Sequence, residues 1–148
     1  MLTFINELPT DKKIAGVHTI PITEEGNIMM AWDEDEQILT TIGGRVEGNE
    51  SLEVALTREV MEESGITLHD EKIPLACWYW DSTNTYTVWY LSRVDQFVSN
   101  TFTLEKTGHV ISNFETMKQM VRKMEGATSI RMQLLIEAEK RVNQFSCV

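Results

Sequence analysis

The stretch from Gly44 to Ile66, which reads GRVEGNESLEVALTREVMEESGI, constrains this chain more than any other. Its second part predicts a helix from about Leu52 to Ser64, because Asn49 or Ser51 can cap the first turn. Gly65 suits the position after the last turn, where a positive φ ends a helix easily. The stretch therefore predicts a loop followed by one well-delimited helix.

Three carboxylates lie close together near the end of this predicted helix. Glu59, Glu62 and Glu63 are spaced i, i+3 and i+4, so at about 100° per residue they share an arc of about 100°. Leu52 and Leu56 project into or beside the same arc. Acidic side chains near a helix C-terminus oppose the helix dipole, by a few tenths to about 1 kcal/mol each. Stability alone would not favour this pattern, whereas binding of a divalent cation would.

The chemistry of these side chains narrows the cation. Three neighbouring carboxylates would raise each other's pKa values unless a cation neutralised them. All-oxygen ligands favour a hard ion, Mg²⁺ or Mn²⁺, which also binds phosphate oxygens. Gly43 and Gly44 let the backbone pass close to such a site, so a carbonyl there, that of Gly43, can join the ligands. The cluster suits attack of water on a phosphoanhydride, with a carboxylate taking the proton.

The spacing of the whole stretch resembles the signature of the Nudix (MutT-like) hydrolases. The matching positions are Gly44, Glu50, Arg58, Glu59, Val60, Glu62, Glu63, Gly65 and Ile66. The resemblance implies an α/β (α+β) fold, an αβα sandwich with a mixed β-sheet between helices. It implies Glu59, Glu62 and Glu63 as metal ligands, with Glu59 a candidate for the general base. It also implies that Arg58 pairs with Glu50 and braces the loop against the helix.

Two departures from the usual family pattern affect the loop. Thr41-Ile42 stands before the glycines where many relatives have Leu-Pro, and Gly48 comes one position earlier than the glycine of many relatives. Asn49 tolerates a left-handed conformation, so we expect the loop to be intact. No metal ligand is affected, but the departures leave the subfamily open.

Composition limits the partners. At 148 residues with a net charge of -10, we expect one domain, residues 1–148, and neither nucleic acid nor an anionic membrane as a partner. The N-terminus lacks a secretory pattern, and no apolar run approaches a membrane span. Cys77 and Cys147 suggest no disulfide framework and a cytoplasmic location. A homodimer is left open.

The remaining elements follow from β-branched and aromatic runs and from helical periodicity. Pro21 indicates a sheet edge or a bulge in the first strand, and the acidic run 33–36 indicates a solvated hairpin tip rather than a calcium loop. Residues 97–113 give no clear pattern and are interpreted as a strand or loop edging the site. The predicted strands are Ile14–Ile22, Ile28–Trp32, Gln37–Ile42, Ile73–Asp81 and Thr85–Val94, and the later helices are Phe114–Met124 and Ile130–Gln144.

Aromatic residues of the later strands are candidates for substrate binding. Alternation along a strand sends Trp78 and Trp80 to one face and Tyr79 to the other. These rings predict either a stacking platform for a base or aromatic sheet core. The candidate substrate-binding residues are Arg45, Trp78, Trp80 and Glu105. The family resemblance also implies a further acidic residue downstream of the stretch, for which Glu105 is the first candidate and Asp95 and Glu115 are the next. The scattered His18, His69 and His109 lack metal-site spacing, so we expect them to be structural or solvated.

Two functions of different classes remain. The first is Mg²⁺-dependent hydrolysis of a phosphoanhydride bond in a nucleoside diphosphate derivative, such as a nucleoside triphosphate or a nucleotide sugar. The second is a non-catalytic domain that binds a nucleotide-like small molecule and reports it to a partner. The intact set of carboxylates favours the hydrolase, because a sensor needs no proton acceptor.

Overall fold

The computed structural model describes residues 1–99 and 106–146, with residues 106 and 107 described by their backbone alone. Within these ranges the chain forms nine strands, three α-helices and one 3₁₀ turn. The strands are β1 (Leu2–Phe4), β2 (Lys13–Ile22), β3 (Ile28–Asp33), β4 (Ile38–Thr40), β5 (Ile42–Arg45), β6 (Ile66–Leu68), β7 (Ile73–Trp80), β8 (Thr85–Phe97) and β9 (Lys106–Ser112). The helices are α1 (Leu52–Ser64), α2 (Phe114–Glu125) and α3 (Ile130–Arg141), and the 3₁₀ turn is Val142–Gln144.

The strands form a mixed sheet with β2 at its centre. The main strand order is β1-β7-β8-β2-β3-β4, while β5 pairs with β2, β6 with β8 and β9 with β3. The pairing of β2 with β8 is parallel, and that of β2 with β5 is antiparallel. Because β2 pairs with both β5 and β8, it brings the glycines before α1 close to the aromatic strands.

Helices cover both faces of the sheet. In β3, Met29 and Ala31 join a core with α1, whereas Ile28 and Met30 join a core with α2 and α3. This follows from the alternation of side chains along a strand, and a strand buried on both faces reads as a continuous apolar run. The predicted αβα sandwich with a mixed sheet is therefore confirmed.

The helix of the Nudix-like stretch has the predicted bounds. Ser51, rather than Asn49, caps α1, and its hydroxyl accepts a hydrogen bond from the Val54 N–H at 3.1 Å. The helix ends at Gly65, whose φ is 65°. Among the helices of the described residues, none has both the length and the apolar run needed to cross a membrane.

The strands before α1 differ from the sequence prediction. The predicted single strand Gln37–Ile42 is two strands that separate at Thr41, because β4 pairs with β3 while β5 pairs with β2. The prediction of an edge or bulge at Pro21 is wrong, since β2 is central and its irregularity lies between Ile14 and Gly16. Pro21 is tolerated because the register with β5 ends at Thr19 and that with β3 begins only at the last residue of β2.

Other differences are short elements and single side chains. The strands β1 and β6, of three residues each, were not predicted from the sequence. The hairpin between β3 and β4 is present, but Asp33 is buried rather than solvated, because its Oδ1 accepts the N–H groups of Asp35 and Glu36. In α3, the apolar Ile136 is exposed, while the charged Arg141 is buried.

Candidate active site

The backbone of β5 passes α1 and β2 with no space for side chains. A Cβ on Gly43 would lie 2.2 Å from the carbonyl oxygen of Val17, and one on Gly44 would lie 2.5 Å from the carboxyl carbon of Glu59. Both distances are far inside van der Waals contact. The two glycines are therefore required by close approach, and the Glu59 carboxylate rests directly against the β5 backbone.

The three glutamates of α1 lie in different environments. Glu63 is buried, and its Oε2 accepts a hydrogen bond from the Gly43 N–H at 3.1 Å. Glu59 is also buried, and this desolvation raises the pKa of its carboxyl group, against the opposing effect of Arg58. Glu62 is more open, with 41% of its side chain exposed. Two carboxylates thus face β5, and the third lies toward solvent.

Arg58 joins the loop before α1 to the carboxylates of Glu59 and Glu62. Its Nε and Nη2 donate to the two carboxylate oxygens of Glu50 at 2.8 and 2.9 Å, which is a bidentate pair. Its Nη1 donates to Glu59 at 3.0 Å and to Glu62 at 3.3 Å, and Nη2 also donates to the Arg45 carbonyl at 3.0 Å. The Arg58–Glu50 pair that the resemblance implies is present in the structure.

The Arg58–Glu50 pair also determines the ionisation of Glu50 in the loop. The Arg58 hydrogen bonds, together with the Glu47 N–H, lower the pKa of Glu50 to about 2. In return the carboxylates raise the pKa of Arg58. Glu50 is therefore ionised at any ordinary pH, and Arg58 remains a cation that holds the loop and α1 together.

The three glutamates of α1 offer the oxygen atoms that a hard divalent cation prefers as ligands. Glu59, Glu62 and Glu63 supply only oxygen ligands, and two of them are desolvated beside a backbone that carries no side chain. Within residues 1–99 and 106–146, however, no three acidic, histidine or cysteine side chains are gathered into a ready metal site. The side-chain positions are those of carboxylates paired with Arg58 and with the Gly43 N–H, so a bound cation would have to compete with these contacts.

A first cleft, of about 590 Å³, opens beside β5, and we call it the glycine cleft. Its lining includes Gly44, Arg45, His18, Trp80 and Thr87. Two of the predicted substrate-binding residues, Arg45 and Trp80, thus lie in it. Gly44 both lines this cleft and touches the Glu59 carboxylate, so the cleft and the acidic cluster share a boundary.

A second cleft, of about 380 Å³, lies between the sheet and the start of α3, and we call it the tryptophan cleft. Trp78, Trp80 and Trp89 line it, and the rings of Trp78 and Trp80 lie 6.0 Å apart between centroids. His18, Trp80 and Thr87 line both clefts, which are therefore neighbours separated by these three residues.

Of the remaining acidic candidates, the two that the structure describes, Asp95 and Glu115, are not brought to the clefts. Glu105 falls outside the described residues. Asp95 is half exposed and lies 3.9 Å from His69 Nε2, and Glu115 is exposed in the first turn of α2. Neither lines the glycine cleft or the tryptophan cleft.

The sequence reasoning missed His18, Thr41 and Thr87 as residues of the clefts. Strand alternation could have found the face of His18. Val17 faces α1, so the next residue, His18, faces α2 and α3. Its place opposite Gly43 comes from the register of β2 with β5. That register joins distant parts of the chain, and no local motif reports it.

Comparison with known proteins agrees with the resemblance stated above. The family model for the NUDIX domain matches residues 12–128. A search of curated proteins by sequence gives no match.

Solved structures with the same fold cover nearly the whole chain. A mutant of the Bacillus subtilis pyrophosphohydrolase BsRppH is 17% identical, with a TM-score of 0.73 over 98% of this chain and 93% of that chain. A MutT structure, from work on Aliivibrio salmonicida and Vibrio cholerae, is 22% identical, with a TM-score of 0.63 over 84% and 98%. A C. elegans Ap4A hydrolase is 14% identical, with a TM-score of 0.64 over 88% and 99%. At these identities the likeness shows a common fold.

The family match covers far more than half of the chain, and it contains β2, the β5 glycines, α1 and both clefts' strands. The chain belongs to the NUDIX domain family.

Proposed function

We propose that this protein hydrolyses a phosphoanhydride bond in a nucleoside diphosphate derivative, such as a nucleoside triphosphate or a nucleotide sugar, with Mg²⁺ or Mn²⁺ as cofactor. One observation carries the proposal: Gly44 lines the glycine cleft and also touches the buried carboxylate of Glu59. Family membership supports the reaction class, as do the names of two proteins with the same fold, a pyrophosphohydrolase and an Ap4A hydrolase.

The proposed cation ligands are the side chains of Glu59, Glu62 and Glu63 and the carbonyl of Gly43. When bound, the cation supplies charge neutralisation at the phosphate oxygens and a lower pKa for a coordinated water. Arg58 holds two of these carboxylates in the same region of α1. We therefore assign to Arg58 and Glu50 the role of holding the loop at a fixed position relative to the proposed cation ligands.

In the proposed reaction the oxygen of a water molecule bonds to one phosphorus, and the bond from that phosphorus to the bridging oxygen breaks, so the bridging oxygen leaves with the electron pair on the departing phosphate. One proton of the water passes to a carboxylate, and the other stays on the new P–OH group. Glu59 is our candidate for this acceptor. Its carboxylate is buried directly against Gly44, which lines the glycine cleft, so it lies beside the place proposed for the phosphate end of the substrate. The hydrogen bond from Arg58 Nη1 fixes one of its oxygens.

The two clefts suit the two ends of a nucleotide-like substrate. Arg45 gives the glycine cleft a cation for the phosphate end. Trp78, Trp80 and Trp89 give the tryptophan cleft the aromatic surface that a base requires. The proposal also includes a cytoplasmic location and excludes nucleic acid and membranes as partners. It leaves open whether the protein forms a homodimer.

A substrate panel tests the proposal. Purified protein with Mg²⁺ is incubated with nucleoside triphosphates, dinucleoside polyphosphates and nucleotide sugars, and the products are separated by ion-exchange chromatography. We expect cleavage of at least one anhydride, and loss of that activity when the metal is removed with EDTA. If nothing is cleaved while one compound still raises the melting temperature, the protein is a binding domain instead.

Glu63→Gln tests the assignment of the carboxylates. We expect turnover to fall by at least about a hundredfold, because a metal ligand loses its charge. The fold should remain intact, because a glutamine oxygen can still accept the Gly43 N–H that Glu63 accepts now. Glu53→Gln, on the same helix but 66% exposed, is the matched control and should keep near-normal activity. Near-normal turnover of the Glu63 variant would contradict the assignment.

A further inference from the structure

We propose that His18 is a substrate-positioning residue, which donates a hydrogen bond from Nε2 to the sugar–phosphate segment between the base and the cleaved diphosphate. This inference rests on the proposed function, because it assumes a substrate whose ends occupy the two clefts. It goes further by assigning the middle of that substrate to one side chain.

The position of His18 carries the first step. His18, Trp80 and Thr87 are the residues that line both the glycine cleft and the tryptophan cleft. In the sheet, His18 pairs with Gly43 on one side and with Trp89 on the other. A ligand with phosphates beside Gly44 and a base among the tryptophans must pass these shared residues. The segment that passes them joins the base to the diphosphate.

A chain of hydrogen bonds orients the His18 ring. Trp89 Nε1 donates to Thr41 Oγ1 at 3.1 Å, and Thr41 Oγ1 lies 3.1 Å from His18 Nδ1. The His18 and Trp89 rings also lie 5.8 Å apart between centroids, tilted by 32°. The ring is thus held from one side by a buried threonine and packed against an indole.

The same chain fixes where the proton of a neutral His18 lies. An indole nitrogen only donates, so the Thr41 oxygen is the acceptor of that bond. Thr41 is buried, and within the described residues its hydroxyl has only these two partners. Its one hydrogen therefore goes to His18 Nδ1, since a buried hydroxyl hydrogen without an acceptor is costly. Nδ1 is then the acceptor of the ring, and Nε2 carries the N–H.

The rest of the shared boundary is held in a similar way. Trp80 Nε1 donates to Thr87 Oγ1 at 2.8 Å, and that oxygen lies 3.0 Å from where a Cβ on Gly16 would be. A tryptophan–threonine hydrogen bond therefore fixes each side of the boundary. Such fixed groups lose little entropy when they position a ligand.

The first experiment reads the tautomer of His18 without any substrate. Long-range ¹H–¹⁵N NMR spectra, recorded with the imidazole neutral, should show the His18 proton on Nε2. Thr41→Val and Trp89→Phe should each shift the ring toward a mixture of tautomers. Thr67→Val is the matched control, because the buried Thr67 hydroxyl has no hydrogen-bond partner in the described part of the chain. A proton on Nδ1 in the unaltered protein overturns the proposed orientation.

The second experiment removes the side chain and truncates the ligand. Binding of ADP, GDP and inorganic pyrophosphate with Mg²⁺ is measured by calorimetry, and turnover is measured with the best panel substrate. His18→Ala should weaken nucleotide binding and raise KM by about tenfold to a hundredfold, since one hydrogen bond to a charged or sugar oxygen is lost. Pyrophosphate affinity and kcat should change by no more than about twofold. His18→Gln, which keeps a donor, should recover most of the loss.

The outcomes separate this inference from the proposed function. Equal losses for nucleotide and pyrophosphate, or no loss for either, overturn the role of His18 while hydrolysis by the unaltered protein stands. A protein that binds nucleotides through His18 but cleaves nothing overturns the hydrolase and supports the positioning role. Absence of both binding and cleavage overturns the two together.

Discussion

Two arginines of this molecule have several partners each, but the partners differ in kind. Arg58 on α1 bonds to Glu50, Glu59 and Glu62 and to one carbonyl. Arg141 at the end of α3 is buried and donates to the carbonyls of Ile5 and Pro74 and to one carboxylate. The partners of Arg58 are therefore mostly carboxylates of side chains, whereas two of these three partners of Arg141 are main-chain carbonyls.

The difference in partners indicates a structural role for Arg141 and a role in the candidate active site for Arg58. A carbonyl stays where its strand places it, so Arg141 can only fix α3 to β7 and to the segment after β1. A carboxylate can rotate and change its partner, so under the proposed function Glu59 and Glu62 could exchange their contacts with Arg58 for contacts with a cation. We therefore expect loss of Arg141 to affect folding, and loss of Arg58 to affect activity.

Arg141→Ala should have the largest effect. It leaves Glu137 and two backbone carbonyls without their buried donor, so the free energy of unfolding should fall by about 3 kcal/mol or more. Urea unfolding measures this, with Arg122→Ala, an exposed arginine of α2, as control. A loss below about 1 kcal/mol would contradict the structural role.

Arg58→Ala should have the opposite pattern, with a larger effect on turnover than on stability. Turnover should fall by about a hundredfold, which corresponds to about 2.7 kcal/mol of activation free energy. Unfolding free energy should fall by only about 1 kcal/mol, because the ion pairs of Arg58 are partly exposed. Arg58→Lys should recover little, since an ammonium cannot make the bidentate bond to Glu50. If stability fell more than activity, the two arginines would not differ as we state.

Glu50→Gln should change the pH dependence of stability. The pKa of Glu50 is lowered from 4.5 to about 2 in the folded protein, so the unfolded state binds a proton first as the pH falls. The stabilisation by Glu50 is complete above pH 4.5 and is lost toward pH 2. Urea unfolding at a series of pH values should therefore show a stability gap to the variant that narrows below pH 4.5. A gap independent of pH would show that ionised Glu50 is not the cause.

Lys118→Ala should have the smallest effect. Its ion pair with Glu139 joins α2 to α3 at 2.8 Å, but half of the Glu139 side chain is exposed. We expect a change below about 0.5 kcal/mol in the free energy of unfolding and none in turnover. A loss above about 1 kcal/mol would contradict the expectation that this exposed ion pair contributes little.

The sequence predicted what is encoded locally. The bounds of α1 and the positions of its three glutamates follow from one continuous stretch, and the sandwich follows from the family resemblance that this stretch carries. The break at Thr41 and the place of His18 depend instead on which strand pairs with which, and β5 and β2 meet only in the folded protein. Arg141 was missed for the same reason, since its carbonyl partners lie in distant strands and loops. Glu105, proposed for the substrate site, lies outside the described residues.

The sheet between the two helical layers has a consequence for how such a protein can diversify. The acidic helix packs on one face, whereas the tryptophan cleft is built by β7, β8 and the start of α3 on the other. If the tryptophan cleft holds the base as proposed, substitutions among its residues can alter ligand preference without contacting the carboxylates of α1. On the proposed assignment, the hydrolytic residues of α1 could then stay unchanged while the substrate changes, through substitutions confined to the opposite face of the sheet.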